Sequence, residues 1–322
     1  MDNRESISIG IDIGGTKISA AAVNNGQIIS EVLSFGTPNN IEGIVNTIFE
    51  AIEILKDQYN AKFVGIATAG TVNLDNSRVT GSTGNLPKGY NTIEFKKIIE
   101  EKYGLKTLIE NDANAAGYAE YKIGNAKGDR NTVVLTLGTG IGGGVIVDGK
   151  LLKGKSGGAA ECGHIPIIWG KKRSCTCGGW DCWEAYASGT GYAKNAQEMA
   201  REIPPEERTG LLKDKNPEDL TTYDIIEGLS VGDSFAKKVH DHWEELVVLG
   251  LVAYSNIFDP DSIILSGGMA KFVTFEKVEK ELNERIVVPY VKVLHAKAEN
   301  YAGIIGAAIL ATEKFESNIY IS

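Results

Sequence analysis

The stretch "ISIGIDIGGTKISAAAV" (7–23) has the pattern of two β-strands joined by a glycine-rich turn, and "NTVVLTLGTGIGGGVIVDGKLL" (131–152) repeats that pattern later in the chain. In each copy the second strand runs into a polar residue followed by glycine, Gly26 and Gly149 respectively, which predicts a β-hairpin turn. A third strand is expected at 28–35, after the first hairpin. Two segments that begin in the same way indicate an internal duplication in an α/β fold.

Helical and strand patterns alternate through the rest of the chain. The helix predicted at 41–58 has apolar residues at the i, i+3, i+4, i+7 spacing of one buried face. A second helix is predicted at 112–123, with Asp112 as its N-cap. The other predicted elements are strands at 62–68, 105–111 and 262–267, and helices near 184–202, 232–258 and 303–315.

Length and composition are typical of a soluble globular protein with a sizeable core. A chain of 322 residues favours two domains, and 43% apolar with 23% charged residues are ordinary values. The net charge of −9 and the lack of a basic stripe disfavour nucleic acid or an anionic membrane as a partner. The sequence has no apolar signal region and no long apolar stretch, so we expect a cytoplasmic protein.

Residues 149–156 match the G-x-x-x-x-G-K-S spacing of a phosphate-binding P-loop. A P-loop requires a helix to begin at its lysine, because the helix N-terminus supplies part of the anion site. Here Lys155 and Ser156 are followed by two glycines, which start helices poorly, and 150–153 alternate like a hairpin strand. We therefore interpret this match as a coincidence.

Residues 138–143, "GTGIGG", match the G-x-G-x-x-G fingerprint of dinucleotide sites, which must also open a helix. The β-branched stretch that follows, "GVIVDG", predicts a strand instead. A dense glycine turn between two strands can bring backbone N–H groups close to a phosphate. A purely structural hairpin is the alternative that this pattern leaves open.

All the cysteines of the chain, Cys162, Cys175, Cys177 and Cys182, fall within 21 residues of one another. A disulfide framework would join distant segments, so the clustering favours a local metal site. Free buried thiols are the alternative.

Six motifs in family order along the whole chain resemble the ROK family, which comprises bacterial-type glucokinases, related hexose and N-acetylhexosamine kinases, and sugar-responsive repressors. The motifs are "DIGGTK" (12–17), "ENDANAAGYAE" (110–120), "LGTGIGGG" (137–144), "ECGH" (161–164), "CTCGGWDCWE" (175–184) and "LSGGM" (265–269). The resemblance implies an α/β fold of two duplicated actin/hexokinase-like (ribonuclease H-like) domains flanking a cleft. We expect one domain at 1–120, completed by a C-terminal helix at 303–322, and a larger one at 121–302 with a zinc-binding insertion near 161–184.

The resemblance also implies ATP-dependent phosphorylation of a hexose at its 6-hydroxyl, with glucose as the expected substrate. Asp112 matches the catalytic base, although simple helix capping would place an aspartate at the same position. Carboxylates suit sugar binding because they accept hydrogen bonds from adjacent hydroxyls. The implied sugar-binding residues are Asn85, Asn111, Asp112, Glu161, His164 and Glu184.

Phosphoryl transfer needs a cradle for the triphosphate and Mg²⁺ to offset its charge. The resemblance implies that Asp12 lies near the Mg²⁺ and the phosphates. The implied nucleotide-binding residues are Asp12, Gly14, Gly15, Thr16 and Lys17 in one phosphate loop, Gly138, Thr139 and Gly140 in the other, and Gly267 and Gly268 at the adenosine.

The implied metal ligands are His164, Cys175, Cys177 and Cys182, a Cys₃His set that suits a closed tetrahedral site for structural Zn²⁺. His164 is then expected to bind zinc through one ring nitrogen and to orient toward the sugar with the other. Cys162 matches no family ligand and is interpreted as a small buried residue.

Four positions depart from the family pattern. Ala69 and Gly84 stand where proline is common, and Tyr90 replaces a tryptophan. Asp181 replaces a glycine of the stretch 175–184, which we call the cysteine loop. The first three border the expected sugar pocket and leave the choice of sugar open. Kinases of N-acetylmannosamine, N-acetylglucosamine, fructose or allose are therefore the alternatives.

A sugar-sensing repressor is a less favoured alternative. The first predicted strand begins near Ile7, so we expect no N-terminal helix-turn-helix of the kind that the family's repressors carry. The resemblance further implies a homo-oligomer, either a dimer or a tetramer.

Overall fold

The computed structural model describes residues 6–81, 86–204, 208 and 210–319, which form a mixed α/β fold. The strands are β1 (Ser8–Ile13), β2 (Lys17–Asn24), β3 (Gln27–Ile28), β4 (Leu33–Gly36), β5 (Phe63–Thr68), β6 (Thr71–Val72), β7 (Val79–Gly81), β8 (Lys106–Asn111), β9 (Thr132–Leu137), β10 (Ile141–Val147), β11 (Lys150–Leu151), β12 (Ser262–Ser266) and β13 (Lys292–His295). The helices are α1 (Ile41–Tyr59), α2 (Phe95–Tyr103), α3 (Asp112–Ile123), α4 (Glu184–Ala187), α5 (Gly189–Glu202), α6 (Thr222–Ser230), α7 (Ser234–Phe258), α8 (Phe275–Asn283) and α9 (Ala302–Ile319). Within these described ranges, every helix is too short or too polar to cross a membrane.

Two sheets repeat one strand order, β3-β2-β1-β5-β8 in the first and β11-β10-β9-β12-β13 in the second, and β4 also pairs with β2. In the first sheet β1 is antiparallel to β2 and parallel to β5, which is parallel to β8. The hairpin turns also agree, because φ is 50° and 72° at Asn25 and Gly26, and 50° and 73° at Asp148 and Gly149. Turns with two positive φ angles match the twist of the strands they join. The predicted duplication is confirmed by both the strand order and the turns.

The two stretches that match phosphate-binding motifs, 149–156 and 138–143, lead into strands or turns, as expected. Val147 pairs with Lys150 across the turn at Gly149, so the P-loop match begins in a hairpin. Residues 152–160 then form turns and irregular backbone where a P-loop would begin its helix. Strand β10 follows the glycine turn at 138–140 directly. Neither stretch has the local structure of its motif.

Two predicted elements are broken in the structure. The strand expected at 28–35 divides into β3 and β4, because the hydroxyl of Ser30 replaces a backbone carbonyl as the acceptor of the Ala22 N–H, at 2.9 Å. The helix expected near 184–202 divides into α4 and α5 at Ser188, whose side chain accepts the N–H of Gly191 at 3.1 Å and so caps α5. Helices α2, α6 and α8 were not predicted, since each has only 9 residues.

The chain forms two compact units. The first comprises Met1–Val134, Gly144–Ala160 and Ala296–Ser322, and the second comprises Leu135–Gly143 and Glu161–His295. Helix α9 belongs to the first unit, where the sequence also placed the C-terminal helix. The boundary of the units differs from the expected one at 120 and 121, and the division into domains at that point stays a prediction.

Helix α9 lies against the first sheet at two glycines. A β-carbon on Gly65 of β5 would lie 2.0 Å from the carbonyl oxygen of Ala307, and one on Gly10 of β1 would lie 2.1 Å from that of Ile304. Any larger residue at these strand positions would push the helix away from the sheet. The first unit therefore depends on close contact between its earliest strand and its last helix.

We expect Gly65→Ala to destabilise the protein by about 1–3 kcal/mol, because overpacking a tight contact forces backbone shifts. Gly36→Ala is the matched control, since nothing lies within 4 Å of a β-carbon built on Gly36 in strand β4. Urea unfolding of the two variants measures the difference. Equal stability of Gly65→Ala and Gly36→Ala would contradict the close packing of α9.

Candidate active site

Two aspartates lie at the carboxyl edge of the first sheet. Strands β1, β5 and β8 are parallel and in register, so that Ile13 pairs with Thr68 and Thr68 pairs with Asn111. Asp12 is the penultimate residue of β1, and Asp112 directly follows β8. In α/β sheets, ligands bind at this edge of the strands.

The N-cap of α3 is Asn111, and the prediction that Asp112 caps this helix is wrong. Asn111 has extended backbone angles, φ −61° and ψ 142°, and its Oδ1 accepts the N–H of Asn114 at 3.1 Å. Asp112 is already helical, and its Oδ1 accepts the neighbouring N–H of Ala113 at 2.8 Å. The physical reason is that a cap must precede the helix with non-helical angles. The carboxylate of Asp112 is thereby relieved of the capping role.

The environment of both aspartates disfavours their ionised forms. Burial, and then the charge of Asp112, raise the pKa of Asp12 from 3.8 to about 7, and Lys17 only partly opposes this. Burial also raises the pKa of Asp112, against the hydrogen bond from the Ala113 N–H. Two carboxylates that interact in this way favour a shared proton or a bound cation.

The loop from Gly14 to Lys17 is stabilised by a hydrogen bond of its own and by two from Thr37. The Gly14 N–H donates to the carbonyl of Lys17 at 2.9 Å, while Thr37 donates its hydroxyl to the carbonyl of Gly14 at 2.7 Å and its N–H to the carbonyl of Thr16 at 3.0 Å. Gly15, Thr16 and Lys17 are exposed. Thr37 supports this loop although no motif contains it, and its position directly after strand β4 gave no signal in the sequence.

In the second unit, the glycine turn at 138–140 contacts the start of helix α5. The N–H of Gly189 donates to the carbonyl of Gly138 at 2.8 Å. The hydroxyl of Thr190 donates to the backbone carbonyl of Thr139 at 2.9 Å. Sequence reasoning missed these two residues, because it continued one helix through 184–202. A helix N-terminus favours anions, so its contact with this turn fits a phosphate site.

Gly267, Gly268 and the glycine turn are also brought together. Gly267 has a φ of 88°, and the N–H of Met269 donates to the carbonyl of Leu137 at 2.9 Å. Leu137 directly precedes Gly138, so the two segments that the family resemblance assigns to the nucleotide are neighbours in this unit.

Glu184 joins the glycine turn to the cysteine loop. Its Oε2 accepts the N–H of Ile141 at 2.8 Å, and its Oε1 accepts the hydroxyl of Thr176 at 3.2 Å. A β-carbon on Gly140 would lie 2.3 Å from Glu184 Oε2, so a larger residue there would displace this carboxylate from the N–H of Ile141.

The residues expected to bind metal converge. The ligand atoms of His164, Cys175, Cys177 and Cys182 all lie within 4.8 Å of one another. The Sγ atom of Cys175 is 3.6 Å from Nδ1 of His164, and the Sγ atoms of Cys177 and Cys182 are 3.7 Å apart. Cys162 is 1% exposed and lies outside this group, as its interpretation as a small buried residue requires.

Two of the remaining predicted sugar ligands, Glu161 and His164, lie close together in the chain and are at least partly exposed. Glu161 is exposed and directly precedes the 3-10 helix Cys162–His164, and the N–H of His164 donates to the carbonyl of Glu161 at 3.1 Å. His164 is half-buried. Asn85 and Gly84 lie outside the described residues.

Two departures from the family pattern have clear surroundings. Asp181 has a φ of 55°, a conformation that suits glycine and tolerates aspartate. Its carboxylate accepts the N–H of Arg173 at 2.8 Å and the hydroxyl of Tyr186 at 2.7 Å, so it fixes the cysteine loop. Tyr90 is fully buried, with its hydroxyl 2.7 Å from that of Thr68.

The raised pKa of Asp12 predicts a specific dependence of stability on pH. The unfolded carboxyl ionises near pH 4, whereas the folded one ionises near pH 7, so this group lowers stability progressively as the pH rises between these values. Since one pKa unit corresponds to about 1.4 kcal/mol, we expect Asp12→Asn to be more stable than the unaltered protein at pH 7 by a few kcal/mol, and not at pH 4.

Urea unfolding at both pH values, without divalent cations or nucleotide, measures this difference. Asp214→Asn is the control, because it makes the same substitution at an exposed aspartate. A stability gain for Asp12→Asn that is the same at pH 4 and pH 7 would contradict the raised pKa.

Comparison with known proteins assigns the chain to a family. The glucokinase of Streptomyces coelicolor is 35% identical over 314 residues, covering 95% of this chain and 98% of that protein. The crystal structure of a ROK family glucokinase from Streptomyces griseus in complex with glucose and AMPPNP is 33% identical, with a TM-score of 0.78 over 96% of this chain and 100% of the other. The N-acetyl-D-glucosamine kinase of Vibrio parahaemolyticus is 29% identical over 324 residues, covering 94% and 98% of the two chains.

The likeness to the Streptomyces griseus structure confirms the actin/hexokinase-like two-domain fold. The model of the ROK family matches residues 8–314, which is nearly the whole chain. Together with the relative at 35% identity, this match shows that the chain belongs to the ROK family.

Proposed function

We propose that this protein transfers the γ-phosphoryl group of ATP to the 6-hydroxyl of a hexose, with glucose as the preferred substrate. Its kinship with a glucokinase, and with a solved relative that binds glucose and AMPPNP, supports the substrates. The observation that carries the proposal is the carboxylate of Asp112, which is freed from helix capping by Asn111 and lies beside Asp12 at the sheet edge.

Asp112 acts as the general base. It accepts the proton of the sugar 6-hydroxyl as the oxygen attacks the γ-phosphorus and ADP departs. Burial raises the pKa of Asp112 toward the working pH, which favours a base that must both take up and release a proton. The other proposed sugar ligands are Asn85, Asn111, Glu161, His164 and Glu184.

The nucleotide is assigned to the residues around the two glycine turns. Gly14, Gly15, Thr16 and Lys17 are proposed to contact the γ-phosphate, and the turn at Gly138, Thr139 and Gly140 to cradle the other phosphates. Gly267 and Gly268, adjacent to that turn, take the adenosine. Bound with ATP, Mg²⁺ supplies positive charge that relieves the repulsion between phosphates and carboxylates, and Asp12 would hold it.

Zinc is the proposed occupant of the Cys₃His group. Tetrahedral zinc with bonds of ~2.3 Å to sulfur and ~2.1 Å to nitrogen separates two sulfurs by ~3.8 Å, and sulfur from nitrogen by ~3.6 Å. The observed separations of 3.7 Å between Cys177 and Cys182, and 3.6 Å between Cys175 and His164, fit this geometry. Binding through Nδ1 leaves Nε2 of His164 for a sugar hydroxyl.

An N-acetylhexosamine kinase is the second candidate, and the Vibrio parahaemolyticus relative favours it. An N-acetyl group adds bulk at the 2-position of the sugar, and Tyr90 and Ala69 change the expected pocket relative to the family pattern. We also propose a homo-oligomer in the cytoplasm, without nucleic-acid partners.

A coupled assay of ATP consumption across glucose, N-acetylglucosamine, N-acetylmannosamine, fructose and allose tests the substrate. We expect the highest kcat/KM with glucose. Higher kcat/KM with an N-acetylated sugar would replace glucose by the second candidate.

The same assay tests the base. Asp112→Asn should lower kcat by about 10²–10⁴-fold, because it removes the proton acceptor, while circular dichroism shows that the fold persists. Asp112→Ala should behave alike, and Asp214→Asn should keep full activity. Near-normal phosphorylation by either Asp112 variant would exclude Asp112 as the base.

Elemental analysis tests the metal. We expect about one zinc ion per chain, lost in Cys177→Ser and retained in Cys162→Ala. Chelation should lower the melting temperature, because structural zinc contributes folding energy. A metal-free protein of undiminished stability would exclude a structural zinc.

A further inference from the structure

One lysine of the P-loop-like stretch 149–158 is largely buried. The Nζ atom of Lys153 lies 2.5 Å from Oε2 of Glu110, and the two side chains are 20% and 2% exposed. Lys150 and Lys155, on the same stretch, are exposed. Lys153 is therefore distinguished from its neighbours by a buried ionic partner.

Glu110, the ionic partner of Lys153, also accepts hydrogen bonds from the segment that carries the proposed base. Its Oε1 accepts the N–H of Asn111 at 2.9 Å and the Nδ2 of Asn114 at 3.1 Å. Its Oε2 accepts the Nδ2 of Asn76 at 3.0 Å in addition to the lysine. One carboxylate thus holds the residues on both sides of Asp112.

The backbone around Lys153 is itself fixed. A β-carbon on Gly157 would lie 1.8 Å from the carbonyl oxygen of Val72, so the stretch lies directly on β6. The carbonyl of Gly70, just before β6, accepts the Nδ2 of Asn111 at 3.1 Å. The P-loop-like stretch, the β6 segment and Asn111 therefore form one connected set of contacts.

We propose that Lys153 and Glu110 are positioning residues for phosphoryl transfer, and this proposal rests on the proposed function. The ammonium group compensates the buried charge of Glu110, whose hydrogen bonds from Asn111 and Asn114 then fix the segment that contains Asp112. A buried carboxylate that loses its ionic partner must become protonated or move toward water. Either change removes acceptors from Asn111 and Asn114 and displaces the base, and small displacements of a reacting group are costly for rate.

The experiment compares Lys153→Met with Lys155→Met, which removes an exposed ammonium from the same stretch. We expect Lys153→Met to lower kcat for glucose by about 10- to 100-fold with KM for ATP unchanged, and Lys155→Met to leave both constants unchanged. Lys153→Arg should recover most of the kcat, because it restores the charge and its N–H donors. Equal kcat in Lys153→Met and Lys155→Met, measured on folded protein below the melting transition, would overturn the proposal even if their melting temperatures differ.

Amide hydrogen exchange supplies a readout that does not depend on turnover. The N–H groups of Asn111 and Asn114 should exchange faster in Lys153→Met than in Lys155→Met. If the unaltered protein phosphorylates no sugar, the proposed function fails, while faster exchange still supports the fixing of this segment by Lys153. Unchanged exchange at both amides would refute that role.

Discussion

The burial of Asp12 and Asp112 at one edge of the first sheet, with the repulsion between their charges as a smaller effect, is the constraint on which the candidate site depends. Parallel strands β1 and β8 deliver the two carboxylates to one sheet edge, where burial disfavours both charges. Folding alone would gain from replacing either aspartate with a neutral residue. Under the proposed function, a metal ion bound with the nucleotide would supply the positive charge that this arrangement lacks. Under that proposal, the site favours the bound state at the expense of the stability of the free protein.

Hydrogen bonding in the same region gives Asn111 and Asp112 different roles. Asn111 caps α3 and is held by Gly70 and Glu110, so Asp112 does not cap the helix, and its carboxylate accepts only the neighbouring N–H of Ala113 among the hydrogen bonds described above. A base that also capped its helix would lose hydrogen-bonding capacity in the ground state. Under the proposed function, the amide of Asn111 has the structural role and the carboxylate of Asp112 the chemical one, so each residue has a separate use at this junction.

Sequence patterns predicted the duplicated hairpins and the convergence of His164 with the later cysteines, because these features depend on short spacings and specific motifs. The cap of α3 was misplaced by one residue, since Asn111 and Asp112 are both good caps and only backbone angles distinguish them. Lys153 and Glu110 are separated by 43 positions, and no local pattern links them. Likewise, continuing one helix through Ser188 missed Gly189 and Thr190, although the run from Ser188 to Gly191 has the serine cap and the glycines of a helix break.

Helix α9 has a consequence for how the chain acquires its structure during synthesis. Its contacts with Gly10 and Gly65 join strands β1 and β5 to residues made 294 and 242 positions later, Ile304 and Ala307. On the ribosome, one face of the first sheet must therefore stay uncovered while the second unit is completed. The contiguous part of the second unit, Glu161–His295, is finished before α9 emerges. Completion of the sheet that carries both aspartates consequently waits until helix α9 has been synthesised.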